Sequence, residues 1–289
     1  MKDLKHYLAK AQKEKFAIPQ FNFSDFTQLK GIVASAEKTK SPVILGTSEG
    51  ESKFFGIKEA VALRNVLRKK TGLPIFLNID HGKSVEYIKE AVDAGYDMVH
   101  FDGSKLDLQE NIKISKEVVK YARWRGVVVE GEVGRIGTDS SKLYSEKFEI
   151  KEDDITKPIE AREYSDETGV NLLAVSIGNF HGIEVSGICP NLKIDKLLEI
   201  KKSVGERVLL VLHGGSGTME EDIKKVIESG IVKININTEL RLAFFGNLKR
   251  ALVKNPEEIT PYKFLPIAQE SVEKITEKKI DLFGSKNKV

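Results

Sequence analysis

Val208-Leu209-Leu210-Val211-Leu212-His213-Gly214-Gly215-Ser216-Gly217 is the stretch that decides the architecture. Five aliphatic residues in succession describe a strand covered on both faces, because a strand with one wet face would alternate. The run closes on a histidine and a glycine-rich turn. Beyond it, Thr218 to Ser229 sets Ile223, Val226 and Ile227 along one side of a helix. Strand, loop and helix make one β–α unit.

The unit recurs along the chain. Comparable runs are Phe16 to Phe23, Val43 to Thr47, Pro74 to Asp80, Asp97 to Asp102, Val127 to Val133, Leu172 to Gly178 and Val232 to Asn237; with Val208 to His213 they make eight candidate strands. Helical patterns separate them, as at Ser84 to Ala94, where Val85, Ile88 and Val92 share a face. Ser24, Ser84 and Thr218 are suited to N-caps, and Gly72, Gly95, Gly126, Gly169, Gly205 and Gly230 to helix ends. Eight β–α units in 289 residues, about 36 each, predict an α/β fold, a (β/α)8 TIM barrel. The rival, an open doubly wound sheet, wants a glycine-rich dinucleotide turn after its first strand. The chain has Asn22-Phe23-Ser24-Asp25 there. The expectation is a single barrel domain over residues 1–289. Residues 134–157 are expected to form a long, mobile lid after the fifth strand. Residues 255–289 form a C-terminal extension, helical from Tyr262 to Phe283 and available to a neighbouring subunit.

Composition narrows the function. Lys plus Arg is 46 and Asp plus Glu 43, a net charge of +3, too small to call for nucleic acid. Cys189 is the single cysteine, which excludes an internal disulfide and a cysteine-rich zinc finger. No apolar stretch reaches the roughly 18 residues of a membrane span, and no apolar core of a signal peptide follows Met1 to His6. A cytoplasmic protein with no membrane partner is expected.

Barrel chemistry gathers at the C-terminal ends of the strands. In order, those ends carry Asn22, Ser48, Asp80 with His81, Asp102, Glu130 with Glu132, Asn179 with His181, His213, and Asn235-Ile236-Asn237-Thr238. Of five histidines, His81, His181 and His213 fall at strand ends that a barrel brings to one mouth. Three neutral imidazoles with an open position suit a catalytic metal ion such as zinc. Asp80 is a candidate proton donor and acceptor. Asp102 and Glu132 suit a ligand or ligand-orienting role. His100, inside the fourth strand, reads as structural, and His6 as a surface residue. The loops around Gly214, Gly215 and Ser216 and around Asn235, Ile236, Asn237 and Thr238 occupy the usual barrel phosphate site, with Gly182 beside them.

Ile79-Asp80-His81-Gly82, Glu130-Gly131-Glu132-Val133-Gly134, Ala174 to Gly182, Leu212 to Gly217 and Lys233 to Thr238 resemble, in order, the motifs of class II, zinc-dependent ketose-bisphosphate aldolases. Thr47-Ser48-Glu49-Gly50-Glu51 resembles a further segment of that family, and the likeness runs from about Phe16 to about Leu252. The resemblance implies zinc on His81, His181 and His213, with Asp102 and Glu132 at a second metal position. It implies proton handling at the C4 hydroxyl by Asp80. The dihydroxyacetone phosphate half would lie on Gly182, Gly214, Gly215, Ser216, Asn235, Asn237 and Thr238, and Ser48 and Asn22 near the aldehyde half. It also implies a phosphorylated sugar substrate, a monovalent cation (Na+ or K+) near the phosphate, and a homodimer or homotetramer.

The loop Gly137-Thr138-Asp139-Ser140-Ser141-Lys142 departs from the family's Gly-Gly-any-Glu-Asp, whose glutamate moves the second proton. Asp139 or Glu146 is the candidate replacement. The resemblance implies fructose rather than tagatose 1,6-bisphosphate, since the family's tagatose members often carry alanine where this chain has Asn237, and Arg241, one turn into the eighth helix, is a candidate for the second phosphate. The rivals are a Schiff-base enzyme using Lys233 and a non-catalytic phosphosugar-binding protein.

Overall fold

The computed structural model describes residues 2–137, 143–144, 150–184 and 192–289, with the backbone alone at 143, 144 and 184. All eight expected strands are present: β1 Ile18–Asn22, β2 Val43–Ser48, β3 Ile75–Gly82, β4 Met98–Phe101, β5 Val128–Val133, β6 Leu172–Val175, β7 Leu209–Leu212 and β8 Ile231–Ile236. They pair in parallel and close into a barrel of order β1-β8-β7-β6-β5-β4-β3-β2. Two short strands outside it, Leu143–Tyr144 and Ile183–Glu184, pair in parallel and join the loops that follow β5 and β6. The helices are α1 Leu4–Glu14, α2 Phe26–Thr39, α3 Glu49–Phe55, α4 Ile57–Thr71, α5 Val85–Ala94, α6 Leu108–Arg123, α7 Pro158–Thr168, α8 Ile194–Val204, α9 Glu220–Glu228, α10 Thr238–Lys254 and α11 Pro261–Leu282. The structure is the (β/α)8 TIM barrel that the alternation predicts, with a C-terminal helix added.

Two apolar regions hold it together. Leu210, Leu212, Ile223, Val226, Ile234 and Ile236 belong to a shell between barrel and helices, which explains the unbroken aliphatic runs. Ile18, Ile44, Phe76, Met98, Val128, Leu172, Val211 and Val232 form a second cluster that fills the lower barrel. Leu4, Tyr7, Leu8 and Ala11 of α1 join it and close the N-terminal end, with the Tyr7 and Phe76 rings 5.8 Å apart. Each fully buried aliphatic side chain there contributes about 1.5–3 kcal/mol. The lower barrel is therefore a packed apolar floor.

Some local expectations are corrected. Asp25, not Ser24, caps α2, because its carboxylate accepts Gln28 N–H at 2.7 Å while Ser24 bonds the Gln28 side chain. Thr218 does not cap α9; its hydroxyl donates to Gly214 O at 3.2 Å. Ser84 caps α5 as expected. The C-terminal helix α11 packs one face on α2 of its own chain. Gly31 of α2 allows that approach, since a Cβ there would lie 2.7 Å from Gln269 O. Ser35 Oγ then donates to Glu273 O at 2.6 Å, and Ala268, Val272 and Ile280 are buried. In the segment after β5, Arg135 N–H donates to Asp154 O, and Thr156 bridges Val133 and Ser176, while residues 138–142 and 145–149 of the expected lid lie outside the described residues.

Candidate active site

Alternate residues of a barrel strand point inward. Above the apolar floor those positions turn polar: Gln20 and Asn22 follow Ile18, Asn78 and Asp80 follow Phe76, His100 follows Met98, and Glu130 and Glu132 follow Val128. Gln20, Asn78, His100, Glu130, Lys233 and His213 have no exposed surface at all. Buried polar groups must be paired, and here they pair with one another. Asn78 Nδ2 donates to Gln20 Oε1 at 2.8 Å, and Gln20 Nε2 to Asn22 Oδ1 at 3.2 Å. Asp80 receives Asn22 Nδ2 and Asn235 Nδ2, each at 2.9 Å, one on each oxygen. Both oxygens are thus fixed in direction.

Asp80 and His81 are neighbours in one strand, so a regular β3 would face them oppositely. The structure resolves this with a bulge. Ile79 pairs with Val99 but Gly82 with Phe101, so β3 carries one residue more than β4 between these pairs. His81 takes φ 52°, a left-handed conformation uncommon for a residue with a side chain. Its N–H donates to His100 Nδ1 at 3.1 Å, which supports the strained backbone.

The imidazoles are oriented by carboxylates. His81 Nδ1 lies 3.1 Å from Asp102 Oδ2, and His213 Nε2 lies 2.7 Å from Glu130 Oε1. Glu130 is held in turn by Lys233 Nζ at 2.9 Å. The remaining nitrogens, His81 Nε2 and His213 Nδ1, lie 3.0 Å apart, close enough for a protonated His81 to donate to His213. A cation held by both would take the place of that proton. Asp80, His81, His100 and His213 form one group of converging donor atoms, and His81, Asp102 and Glu132 a second. Imidazole nitrogen and carboxylate oxygen are the donors zinc takes. His181 belongs to neither group, although its ring centroid lies 4.8 Å from that of His81 and 5.9 Å from that of His213.

Protonation follows the surroundings. Burial pushes the pKa of Asp80 up, but His81, His100, His213 and Lys233 outweigh it and hold the carboxyl well below its usual range. Burial likewise opposes charge on Glu130, but Lys233 and the His213 bond bring it down to about 2. Burial, with the nearby histidines, lowers His181 well below the usual imidazole value. Burial lowers His213 too, against the opposing pull of Glu130. His81 is raised, because Asp80 and Asp102 overcome its burial.

The mouth pocket is lined by Asp80, His81, His181, Gly182, Gly214, Ser216, Asn235, Asn237 and Thr238. Gly214, at φ 64°, passes so near the β6 loop that a Cβ would lie 2.1 Å from Phe180 O. Ser216 Oγ accepts the N–H of Asn237 at 3.3 Å and of Glu239 at 3.4 Å, joining the β7 loop to the α10 N-terminus. The Gly217 N–H is taken by Glu239, itself paired to Lys279. Asn22 is buried against Asp80 and Glu51, and Ser48 caps α3; neither is among the residues that line the pocket. Ile236 has its side chain in the helix-side core, and Gly215 packs against Ile234, so neither side chain position faces the pocket. Arg241 reaches Glu51 Oε1 at 2.6 Å. Asp139 and Glu146 lie outside the described residues.

Four residues take parts that the sequence reading does not give them. His100 reads as structural yet belongs to the donor group, and its Nε2 and Glu132 Oε2, 3.4 Å apart, are both buried without a hydrogen bond. Glu130, named at its strand end, orients His213. Lys233, considered as a Schiff-base amine, is buried, paired with Glu130 and bonded to Asn235 Oδ1 at 2.7 Å, and it is not among the residues that line the pocket. Glu51 gathers the rim. Period-two counting from Met98 and Val128 would have pointed His100 and Glu130 inward.

The family model for "fructose-bisphosphate aldolase class-II" matches residues 2–288, so the likeness extends beyond Phe16 and Leu252 at both ends. A probable fructose-bisphosphate aldolase of Bacillus subtilis is 35% identical over 280 residues, spanning 96% of this chain and 95% of that one. A 6-phospho-5-dehydro-2-deoxy-D-gluconate aldolase of Shouchella clausii is 38% identical over 284 residues, 97% of this chain and 94% of its own. The crystal structure of the YdjI aldolase of Escherichia coli K12 superposes with a TM-score of 0.83 at 30% identity, covering 100% of this chain and 99% of that one. Whole-length match, barrel and a histidine–carboxylate mouth agree: the chain belongs to the class-II fructose-bisphosphate aldolase family, zinc-dependent carbon–carbon lyases that act on phosphorylated sugars.

Proposed function

We propose that this enzyme cleaves fructose 1,6-bisphosphate reversibly into dihydroxyacetone phosphate and glyceraldehyde 3-phosphate. Tagatose 1,6-bisphosphate, its C4 epimer, is the next substrate in line. The observation that carries the reading is Asp80, ionised, fixed through both oxygens, and set beside imidazole nitrogens that face each other at 3.0 Å.

In this reading His81, His181 and His213 hold zinc, and Asp102 and Glu132 provide a second metal position, supported by the buried Glu132 oxygen that makes no hydrogen bond. When bound, the metal supplies Lewis acidity against the negative charge that develops on the ketone side of the breaking bond. The chain's own groups do the rest. Asp80 takes the C4 hydroxyl proton as the C3–C4 bond breaks and the aldehyde leaves; in condensation it returns that proton. Gly182, Gly214, Gly215, Ser216, Asn235, Asn237 and Thr238 hold the dihydroxyacetone phosphate half, with amides and the α10 N-terminus toward the phosphate. Ile236 takes part through its backbone. Asn22 and Ser48 lie on the aldehyde side. Asp139 or Glu146 supplies the proton to the C3 carbanion. A sodium or potassium ion beside the phosphate belongs to the same proposal. So does a homodimer or homotetramer working in the cytoplasm, with exposed Phe245, Val253, Ile259 and Tyr262 available to a second copy.

The Arg241–Glu51 pair favours one second reading, a phosphorylated sugar that ends in a group other than phosphate, as the name of the Shouchella clausii relative describes for that protein. The test is coupled cleavage of fructose and tagatose 1,6-bisphosphates side by side, each with chelator and with zinc restored. Chelator-sensitive cleavage of the fructose compound is expected. Cleavage of neither, by protein carrying zinc, refutes the substrate assignment.

A further inference from the structure

Glu51 takes no part in the reaction as described, yet three strand ends converge on its carboxylate. It begins as a capping-box residue: Ser48 Oγ accepts its N–H, and Glu51 Oε2 accepts Ser48 N–H at 2.8 Å. A capping-box glutamate needs nothing more, and its free oxygen ordinarily faces water. Here the residue is 7% exposed and every acceptor direction is used. Oε2 also takes Asn22 Nδ2 at 3.1 Å, and Oε1 takes Asn237 Nδ2 at 3.3 Å and Arg241 Nη2 at 2.6 Å.

Arg241 stands in the first turn of α10, three residues past the pocket residue Thr238, with its side chain 31% exposed. No lysine or arginine lines the pocket among the described residues. Arg241 is the candidate for the phosphate at the far end of a ketose bisphosphate. That guanidinium is already matched by a buried carboxylate. A phosphate dianion drawn to it approaches Glu51 through the same group, and the two negative charges repel. A far end with one charge, or none, meets less opposition.

We infer that Glu51 is a specificity-determining residue: by taking up the charge of Arg241 it weakens the preference for a far phosphate dianion and opens the site to phosphorylated ketoses whose far end carries one negative charge or none. The inference rests on the ketose-phosphate reading of the mouth. Glu51 also reaches Asp80 through Asn22, so a purely structural contribution would lower cleavage of all substrates alike. A charge effect changes their ratio.

The experiment measures kcat/KM for fructose 1,6-bisphosphate and fructose 1-phosphate on full-length zinc-loaded enzyme, wild type, Glu51→Gln, Arg241→Gln and the double variant. Glu51→Gln is expected to raise the bisphosphate-to-monophosphate ratio about tenfold. Arg241→Gln is expected to lower that ratio less than about threefold in the wild type but about tenfold when Glu51 is already Gln. An unchanged or lower ratio in Glu51→Gln overturns the inference. Should that variant fail to fold, a loss above about tenfold from Arg241→Gln alone overturns it too, because Arg241 would then be an unencumbered phosphate receptor. Calorimetric binding of the same two sugars to metal-free protein gives the ratio without turnover. Absence of cleavage would therefore refute the aldolase substrate assignment while leaving the charge effect measurable.

Discussion

Replacing Lys233 with Met tests whether the polar layer is a connected structure or a set of separate pairs. Lys233 and Glu130 are both without exposed surface, and the 2.9 Å contact is the only ion pair of Lys233 among the described residues. Met keeps the length of the stem and removes the charge. It leaves Glu130 ionised in the barrel interior, bonded to His213 alone. Stranding one member of a buried pair costs about 3–5 kcal/mol. For 289 residues at about 2.1 cal/mol/K each, the unfolding entropy is about 0.6 kcal/mol/K, so Tm falls by about 5–8 °C. Scanning calorimetry on metal-free protein reads this directly. The pH dependence has a definite sign. In the wild type Glu130 is depressed from 4.5 to about 2, so its contribution is complete above pH 4.5 and is lost as pH falls through about 2. In Lys233→Met the main lowering influence is gone and burial raises the carboxyl. The penalty then belongs to the charged form, so the Tm deficit is largest near neutral pH and shrinks as the solution is acidified. Adding Glu130→Gln removes the stranded charge and should recover more than half of the loss. A deficit under about 1 °C, or a double variant no better than the single one, refutes the account.

Two further outcomes follow from the same geometry. Asp80→Asn keeps a planar side chain between Asn22 and Asn235 but removes the proton acceptor; cleavage should drop by about 100-fold or more while zinc content, by elemental analysis, is retained. Activity within tenfold of wild type would remove Asp80 from its proposed role. Zinc affinity should rise with pH as the raised pKa of His81 is crossed, because its ring must give up a proton to bind, whereas His181 and His213, both lowered, are already neutral. Chelator competition followed from acid to alkaline pH measures this, and a flat profile refutes it.

The sequence shows the barrel because aliphatic runs such as Val208 to Leu212 are long-range statements in local form: a strand needs that composition only when helices cover it. It shows His81, His181 and His213 because strand ends are where barrels keep chemistry. It shows less of the inward side. His100 sits one residue past Val99 in a run that looks uniformly structural, and only the alternation Met98-His100 above an apolar floor separates it from its neighbours. α1 goes unnoticed because its buried residues, Leu4, Tyr7, Leu8 and Ala11, seal a barrel end whose existence depends on all eight strands. The seating of α11 rests on Gly31 and Ser35, ordinary residues in an ordinary helix until Gln269 and Glu273 come against them.

The end of β3 shows why such features resist sequence reasoning. Asp80 and His81 must both serve the mouth, and regular strand geometry allows only one of them to face it. The bulge that turns both inward places His81 at φ 52°, a strained position that nothing in Ile79-Asp80-His81-Gly82 demands. What stabilises it comes from the next strand. His100 Nδ1 receives the His81 N–H, and Asp102 receives the His81 ring. His100 is thus needed to make the backbone that makes the site, whatever it contributes as a donor. A residue of this kind carries no motif of its own, because its partner is a conformation rather than a side chain. The same holds for Glu51, whose capping role is written in Ser48-Glu49-Gly50-Glu51 while its contact with Arg241 exists only once β2 and β8 lie on either side of β1.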